Sequence, residues 1–332
     1  MTLLLGVDGG NSKAIALVAR SDGAIVGAAR HLGTADIYAA AGEEAAVALV
    51  GRVVDEALAQ AGATRAQIGR AIFSLAGADW PEDVALLDAA FRAGGFGGRV
   101  IVVNDAIGAL AGAVPEGPAV VVSIGTGAAT GARGHDGRTW HSSFWQSPQG
   151  ATELAERMLD AVARAELGID PPTVLRDMLL SITGDETVAA ALHRFTARAS
   201  HPRPVGPMVR ALLDAADGGD GVAVDAVRSH GTGLGAVAAA AARRVAIDRA
   251  PFALSFCGGL PRAGARALIE AATSAVRAAG LTPVPVAPRW EPAIGALLIG
   301  ITADSSRPLA AEVAERLDAT APAASFFDVL ND

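Results

Sequence analysis

The chain has 332 residues, 51% of them hydrophobic and 19% charged, which is enough for about two globular domains of roughly 100–200 residues each. Acidic residues outnumber basic ones 35 to 27 and the formal charge is -8. No run of Lys or Arg forms a basic strip, so no nucleic-acid or anionic-membrane surface is expected. The single cysteine, Cys257, excludes an intramolecular disulfide or a multi-cysteine metal cluster built within one chain, and it suits a reducing cytoplasm.

The first residues meet a carboxylate, Asp8, after a few apolar positions and lack a basic leader, so they read as a strand and not as a signal peptide. No apolar run approaches the roughly 20 residues of a bilayer helix. Residues 3–7, 14–19 and 25–30 are apolar or alternating runs separated by Asp-Gly-Gly-Asn and Ser-Asp-Gly turns, which predicts a three-strand meander. The period then changes. Residues 43–61 have helical spacing, 70–76 form a strand, 81–93 a helix opened by Pro81, 100–104 a strand and 106–113 a helix. After the break at 114–118 the meander recurs at 119–124, 128–133 and 138–143. A helical region over about 151–247 follows, then strand 253–256, helix 263–280, strand 283–286 and helix 291–302. A last helix is expected over 308–317, with Pro308 in its first turn, and a loose tail over 321–332. A twice-repeated βββαβαβα order predicts an α/β fold of two mixed sheets flanked by helices with a cleft between them. The expected domains are 1–117 and 118–332, the second carrying the helical insertion.

Each copy opens on a glycine-rich, hydroxyl-bearing hairpin turn: Asp8-Gly9-Gly10-Asn11-Ser12-Lys13 and Gly125-Thr126-Gly127. Glycines at positive φ would let the backbone approach an anion, while amide N–H groups and the hydroxyls donate to it; either turn alone is equally well an ordinary hairpin turn. Lys13 is the only lysine in the chain and is placed to act as a compact charge for a phosphate. Asp8 ends its strand beside this loop, where a carboxylate would suit a phosphate-bound Mg2+ or would cap the turn. Asp105 stands where strand 100–104 meets the next helix. It suits a plain N-cap, yet strand ends in such sheets also face the ligand cleft, where a carboxylate can accept a hydroxyl proton during phosphoryl transfer. Gly108 and Gly112 would let that helix approach another closely, and the small residues of 291–300 offer a matching face.

Taken in order, these segments resemble the phosphate-1, connect-1, phosphate-2, adenosine and connect-2 motifs of the actin, Hsp70 and hexokinase ATPase superfamily. Within it they resemble the BadF/BadG/BcrA/BcrD-type ATPases, a family that includes N-acetylglucosamine kinases. The matching segments are Gly6-Val-Asp-Gly-Gly10, Val103-Asn-Asp-Ala106, Ser123-Ile-Gly-Thr-Gly127, Cys257-Gly-Gly-Leu260 and Pro292-Ala-Ile-Gly-Ala296. The resemblance implies two ribonuclease-H-like domains binding ATP and Mg2+. By it Asp8 and the adjoining loop serve metal and phosphate, Gly125, Thr126 and Gly127 serve phosphate, and Gly258 and Gly259 serve adenosine. Asp105 then matches the base for a sugar hydroxyl, with Asn104 beside it. Ser74, Gly77 and Asp79 match a segment near the sugar, although a strand end and a helix-start cap account for them equally well. A small-molecule sugar substrate and a homodimer are further implications.

The chain departs from this family at two places. Family sugar kinases carry Gly-Trp-Gly followed by Gly-Asp-Glu-Gly-Ser after the second hairpin. Here Trp140-His-Ser-Ser-Phe-Trp145-Gln-Ser-Pro-Gln-Gly150-Ala-Thr-Glu153 has no Asp-Glu pair and leaves Trp145 as a candidate substrate contact. Where N-acetylglucosamine kinases often have an Asn beside an aromatic, Gly33-Thr-Ala-Asp36-Ile-Tyr38 offers Asp36 instead. Gly231-Thr-Gly-Leu-Gly235 lacks the preceding strand of a dinucleotide fingerprint, and the six histidines show no ligand spacing. His141, in the Trp-bearing hairpin, reads more simply as a surface or core residue than as a cleft group. The function expected is phosphorylation of an amino sugar or N-acetylhexosamine; the alternatives are an ATPase driving a partner protein and a nucleotide- or sugar-binding regulator.

Overall fold

The computed structural model describes residues 2–147, 149–303 and 308–328. Strands β1 (Leu3–Gly9), β2 (Lys13–Arg20) and β3 (Ile25–Leu32) form an antiparallel meander. Helix α1 (Glu43–Gln60) carries the chain to β4 (Ile68–Leu75), parallel to β1, and α2 (Pro81–Arg92) to β5 (Arg99–Asn104), parallel to β4. The sheet order is β3-β2-β1-β4-β5. Helix α3 (Asp105–Ala113) leads into the second copy, β6 (Ala119–Ile124), β7 (Ala128–Arg133) and β8 (Thr139–His141). Five helices follow: α4 (Ala151–Glu166), α5 (Leu175–Thr183), α6 (Val188–Thr196), α7 (Val205–Asp217) and α8 (Gly221–Arg244). Then come β9 (Phe252–Cys257), α9 (Gly259–Arg262), α10 (Arg266–Ala278), β10 (Pro283–Pro285), α11 (Pro292–Thr302) and α12 (Ala311–Thr320). The second sheet, β10-β9-β6-β7-β8, repeats the pairing of the first strand for strand.

The continuous apolar run of β1 follows from its burial on both faces. Leu5 and Val7 join Ala14, Ala16 and Val18 of β2 under α1, whose inward stripe is Leu49, Val50, Val53, Val54 and Ala57. Leu4 lies on the opposite face with Ile15, Leu17 and Ala19, under Ala293, Leu297 and Leu298 of α11 and Leu317 of α12. The last helix of each copy thus leaves its own sheet for the other: α11 covers β1, while Leu110 and Ala113 of α3 pack on Ala119 and Val121 of β6. The two helices meet backbone to backbone. A Cβ at Gly295 would lie 1.9 Å from the Gly108 carbonyl oxygen, and one at Gly112 would lie 2.7 Å from that of Glu291.

Two sequence expectations change. The last helix begins at Ala311, after Pro308 and with Ala310 as N-cap, not at Pro308. The tail is not loose as far as residue 328: a 3-10 turn at Ala324–Phe327 buries Phe327 between sheet and helices because its apolar side chain completes that layer. Residues 329–332 lie outside the described residues. Gly231 and Gly235 serve packing, since a Cβ there would come within 2.6 and 2.3 Å of the Leu268 and Ala272 carbonyl oxygens of α10. Among the described residues no helix is long and apolar enough to cross a membrane.

Candidate active site

The two glycine-rich turns face each other across the cleft, Ser12 Oγ and Thr126 Oγ1 being 2.5 Å apart. Gly9, Gly10, Gly125 and Gly127 are not at positive φ, so conformational freedom is not what glycine provides here. It provides room. A Cβ would meet nothing within 4 Å at Gly125 or Gly127, and nothing closer than 3.8 Å at Gly10, which leaves these backbones open to a ligand. Both turns are held from behind. The Gly10 amide donates to the Lys13 carbonyl at 2.9 Å, and the Ala151 and Thr152 amides opening α4 donate to the carbonyls of Gly125 and Thr126 at 2.9 and 3.2 Å. Gly150 permits that contact, because a Cβ there would be 2.4 Å from the Thr126 carbonyl oxygen.

A buried polar chain stiffens α4. The imidazole of His230 lies 2.6 Å from the Gln149 carbonyl through Nε2 and receives Arg157 Nε at Nδ1 over 3.2 Å. A carbonyl can only accept and a guanidinium only donate, so His230 is the neutral tautomer with its proton on Nε2. Burial lowers its pKa, consistent with that state.

Asp8 ends β1 at the cleft. Burial raises its carboxyl to about 6, the nearby Lys13 charge opposing and Glu291 adding to the shift. A carboxyl so placed is ionised most readily beside a further cation. Among the described residues no three Asp, Glu, His or Cys side chains cluster as a protein-only cage. The single carboxylate of Asp8 is the kind of donor that holds Mg2+ together with phosphates and water.

Lys13 sits next to Asp8, but its ammonium donates to the Phe327 carbonyl, and burial lowers its pKa. Arg262 of α9 reaches the same turn, at 3.3 Å from the Phe327 carbonyl and 2.5 Å from Asp328 Oδ1, and also holds Glu291 at 2.6 Å. Beside it Gly258 adopts φ 95° and lies so close to β6 that a Cβ would be 2.5 Å from the Ile124 carbonyl oxygen. Gly259 faces open space. A groove of about 700 Å3 opens here between Phe256, Pro261, Arg262, Val286, Trp290 and Phe327. Burial pushes the Cys257 thiol up to about 12, so it is an inert packing group.

At the other side of the cleft, Asn104 takes the cap role that suited Asp105: its Oδ1 accepts from the Ala106 amide at 3.0 Å. Asp105 becomes the first residue of α3. Burial raises its carboxyl to about 7, and the charges of Asp8 and Asp79 add to the shift. Asn104 Nδ2 donates to Asp79 Oδ1 at 2.8 Å, and Ser74 Oγ donates to the Asn104 and Asp105 carbonyls at 3.4 Å each. Gly77, at φ 83°, lets the Asp36 loop settle on the end of β4; a Cβ there would be 2.7 Å from Asp36 Oδ1. Asp79 does not cap α2. Asp83 does so, accepting from the Trp80 amide at 2.8 Å while Tyr38 Oη donates to both its oxygens.

Asp36, Ser74, Gly77, Asp79, Asn104 and Asp105 thus converge. Trp145 stands apart from them, 67% exposed with the Arg244 guanidinium 5.8 Å over its ring. Reading the sequence alone misses Arg262, Ser143 and Phe144. The first is hidden because an arginine three positions after an open glycine carries no motif of its own. The others sit inside the altered hairpin, where no motif sets them apart from Trp145.

Two open glycine turns that face each other, a crossed pair of glycine-packed helices and a duplicated five-strand sheet define an actin-type fold. The sequence profile of the BadF/BadG/BcrA/BcrD ATPase family matches residues 5–300, and the chain belongs to that family. Membership in an ATPase family implies use of ATP. An N-acetylmuramic acid/N-acetylglucosamine kinase of Clostridium acetobutylicum is 30% identical over 145 residues, 44% of this chain and 47% of the relative, so the match spans about half of that protein. Among solved structures, a candidate N-acetylglucosamine kinase from Chromobacterium violaceum superposes with a TM-score of 0.64 at 23% identity, covering 90% of this chain and 99% of that one. A ROK-family glucokinase from Streptomyces griseus, in complex with glucose and AMPPNP, gives 0.60 at 18% identity over 90% and 97%. At these identities the structures establish the shared fold.

Proposed function

We propose that the chain is an ATP-dependent kinase that transfers the γ-phosphoryl group to a hydroxyl of an amino sugar or N-acetylhexosamine. The observation that carries this reading is the placement of Asp105. Asn104 supplies the side-chain cap of α3, and the Asp105 carboxyl is buried at the same cleft, near enough to Asp8 to feel its charge. The Clostridium relative's name points to the same substrate class.

In this reading the amides of residues 11, 12, 126 and 127 and the hydroxyls of Ser12 and Thr126 donate to phosphate oxygens, the amides of Gly10 and Gly125 holding the turns themselves, and Gly258 and Gly259 allow the adenosine to approach. Asp8 would hold a nucleotide-bound Mg2+, which when present supplies charge neutralisation at the phosphates. Asp105 accepts the proton of the acceptor hydroxyl, which Asp36 and Asp79 help to orient. Lys13 must exchange the Phe327 carbonyl for a phosphate if it is to act there. A homodimer in a reducing cytoplasm completes the proposal; the inert, buried Cys257 is compatible with it.

A partner-driven ATPase on the dehydratase-activator plan needs several cluster-ligating cysteines, and the chain has one. The test is ADP release from purified protein with Mg·ATP across hexoses, hexosamines and N-acetylhexosamines, each against a no-sugar control. Stimulation by an amino sugar is expected. A uniform rate across the panel removes the kinase reading.

A further inference from the structure

Ser143 has φ 40°, a left-handed conformation that a non-glycine residue keeps only where its surroundings impose it. Those surroundings are rigid. Its neighbour Ser142 is fully buried; the Ser142 amide donates to the Thr130 carbonyl at 2.9 Å, and its hydroxyl donates to Gln146 Oε1 at 2.8 Å. The Trp145 amide closes the turn on the Ser142 carbonyl at 2.7 Å. Pinned in this way, Ser143 leaves the second sheet and reaches the acceptor loops of the first. Its Oγ is 2.5 Å from His141 Nδ1 and 3.4 Å from the Asp79 carbonyl oxygen.

The adjoining Phe144, 56% exposed, makes the aromatic part of the same contact. Its ring meets Tyr38 edge-on at 5.1 Å and stacks on Trp80 at 6.1 Å. Tyr38 and Trp80 flank Asp36 and Asp79 in sequence, so residues 141–144 span the mouth of the acceptor side of the cleft. This is also the segment from which the family's acidic pair is missing.

A serine hydroxyl has one proton. Ser143 gives it either to Asp79, whose backbone carbonyl lies 3.4 Å away and whose carboxyl it also hydrogen-bonds, or to His141 Nδ1. Burial keeps the His141 imidazole neutral, and its tautomer sets which of Ser143 and His141 donates to the other. With that proton committed, the Ser143 oxygen presents a lone pair to the cleft. It can then accept from a sugar O–H, as a carboxylate would, without adding a charge to a cleft that already holds Asp8, Asp36, Asp79 and Asp105. We infer that Ser143, oriented by His141, is an acceptor-contacting residue that takes the place of the missing acidic pair by accepting a hydrogen bond from a sugar hydroxyl, with Phe144, Tyr38 and Trp80 closing over that bond. The inference rests on the sugar-kinase reading above.

The test compares wild type with Ser143→Ala and Ser143→Gly in the full chain, using the sugar found active in the panel. Both variants should raise KM for the sugar about tenfold and leave KM for ATP within about twofold, as expected for loss of one buried hydrogen bond to substrate. Ser143→Gly removes the hydroxyl while relieving the positive φ, so its Tm should equal or exceed that of wild type. An unchanged sugar KM in both variants overturns the inference and leaves the kinase reading standing. A joint rise in both KM values with a lowered Tm in both variants overturns it in favour of a merely structural serine. Absence of sugar-dependent turnover in wild type overturns both the inference and the reading beneath it.

Discussion

The ends of β4 and β9 occupy equivalent places in the two sheets, and each carries a serine three residues before a glycine: Ser74-Leu-Ala-Gly77 and Ser255-Phe-Cys-Gly258. Both glycines have positive φ, 83° and 95°, and both let another backbone lie where a Cβ would stand. The serines have diverged. Ser74 Oγ ties down the carbonyls of Asn104 and Asp105, whereas Ser255 Oγ is buried with no hydrogen-bond partner among the described residues. The helices after β5 and β10 diverge in the same sense. Asp105 opens α3 with its carboxyl buried at the cleft, whereas Pro292 holds the matching first position of α11 and the N-cap before it, Glu291, is engaged by Arg262 at 2.6 Å. One duplicated plan has therefore kept a hydrogen-bonded serine and a cleft carboxyl in its first copy, and an unpartnered serine and an ion-paired glutamate in its second.

The sharpest way to break this asymmetry is Asp105→Asn. If the first copy alone supplies the base, sugar-dependent kcat should fall by about a hundredfold to ten-thousandfold while ATP affinity stays within a few fold. Steady-state kinetics with an ATP-binding titration checks this, and unchanged turnover would remove Asp105 as the base.

A smaller effect is expected in pH dependence. Asp105, held near 7, must be ionised to accept a proton, so kcat/KM for the sugar should rise through about pH 7 and level off above it. Stability should move the other way. Unfolding returns Asp105, and Asp8 and Asp79 near 6, to the ordinary value of 3.8. Between 3.8 and about 7 the folded, nucleotide-free chain holds protons that the unfolded chain has released, so Tm should fall as pH rises through that window. Asp105→Asn should flatten the upper part of that slope. A Tm that climbs steadily from pH 4 to 7, with no change in slope in the variant, would contradict these shifts.

Most of the duplicated sheet was legible because period-2 and period-3.6 runs alternate cleanly between glycine turns, and because each strand triplet ends on its own glycine–hydroxyl loop. The closeness of α3 to α11 was legible from Gly108 and Gly112 for the same local reason. Long-range exchange was not. No local pattern states that α11 covers β1, that the Phe327 turn reaches Lys13, or that Asn104 takes the cap and frees Asp105. The acceptor side was half legible: Asp36, Ser74, Gly77 and Asp79 sit in recognisable loops. The contribution of Ser143 depends on a backbone conformation imposed by Thr130 and Gln146, which sequence spacing does not encode.

In the proposed reaction the two copies act together on a sugar hydroxyl and not on water. This is tested most directly by measuring, in one reaction with Mg·ATP and the stimulating amino sugar, the sugar phosphate formed against the ADP released. Equal amounts are expected. ADP accompanied by inorganic phosphate, with no phosphorylated sugar, would contradict the account and leave an ATPase whose acceptor is water.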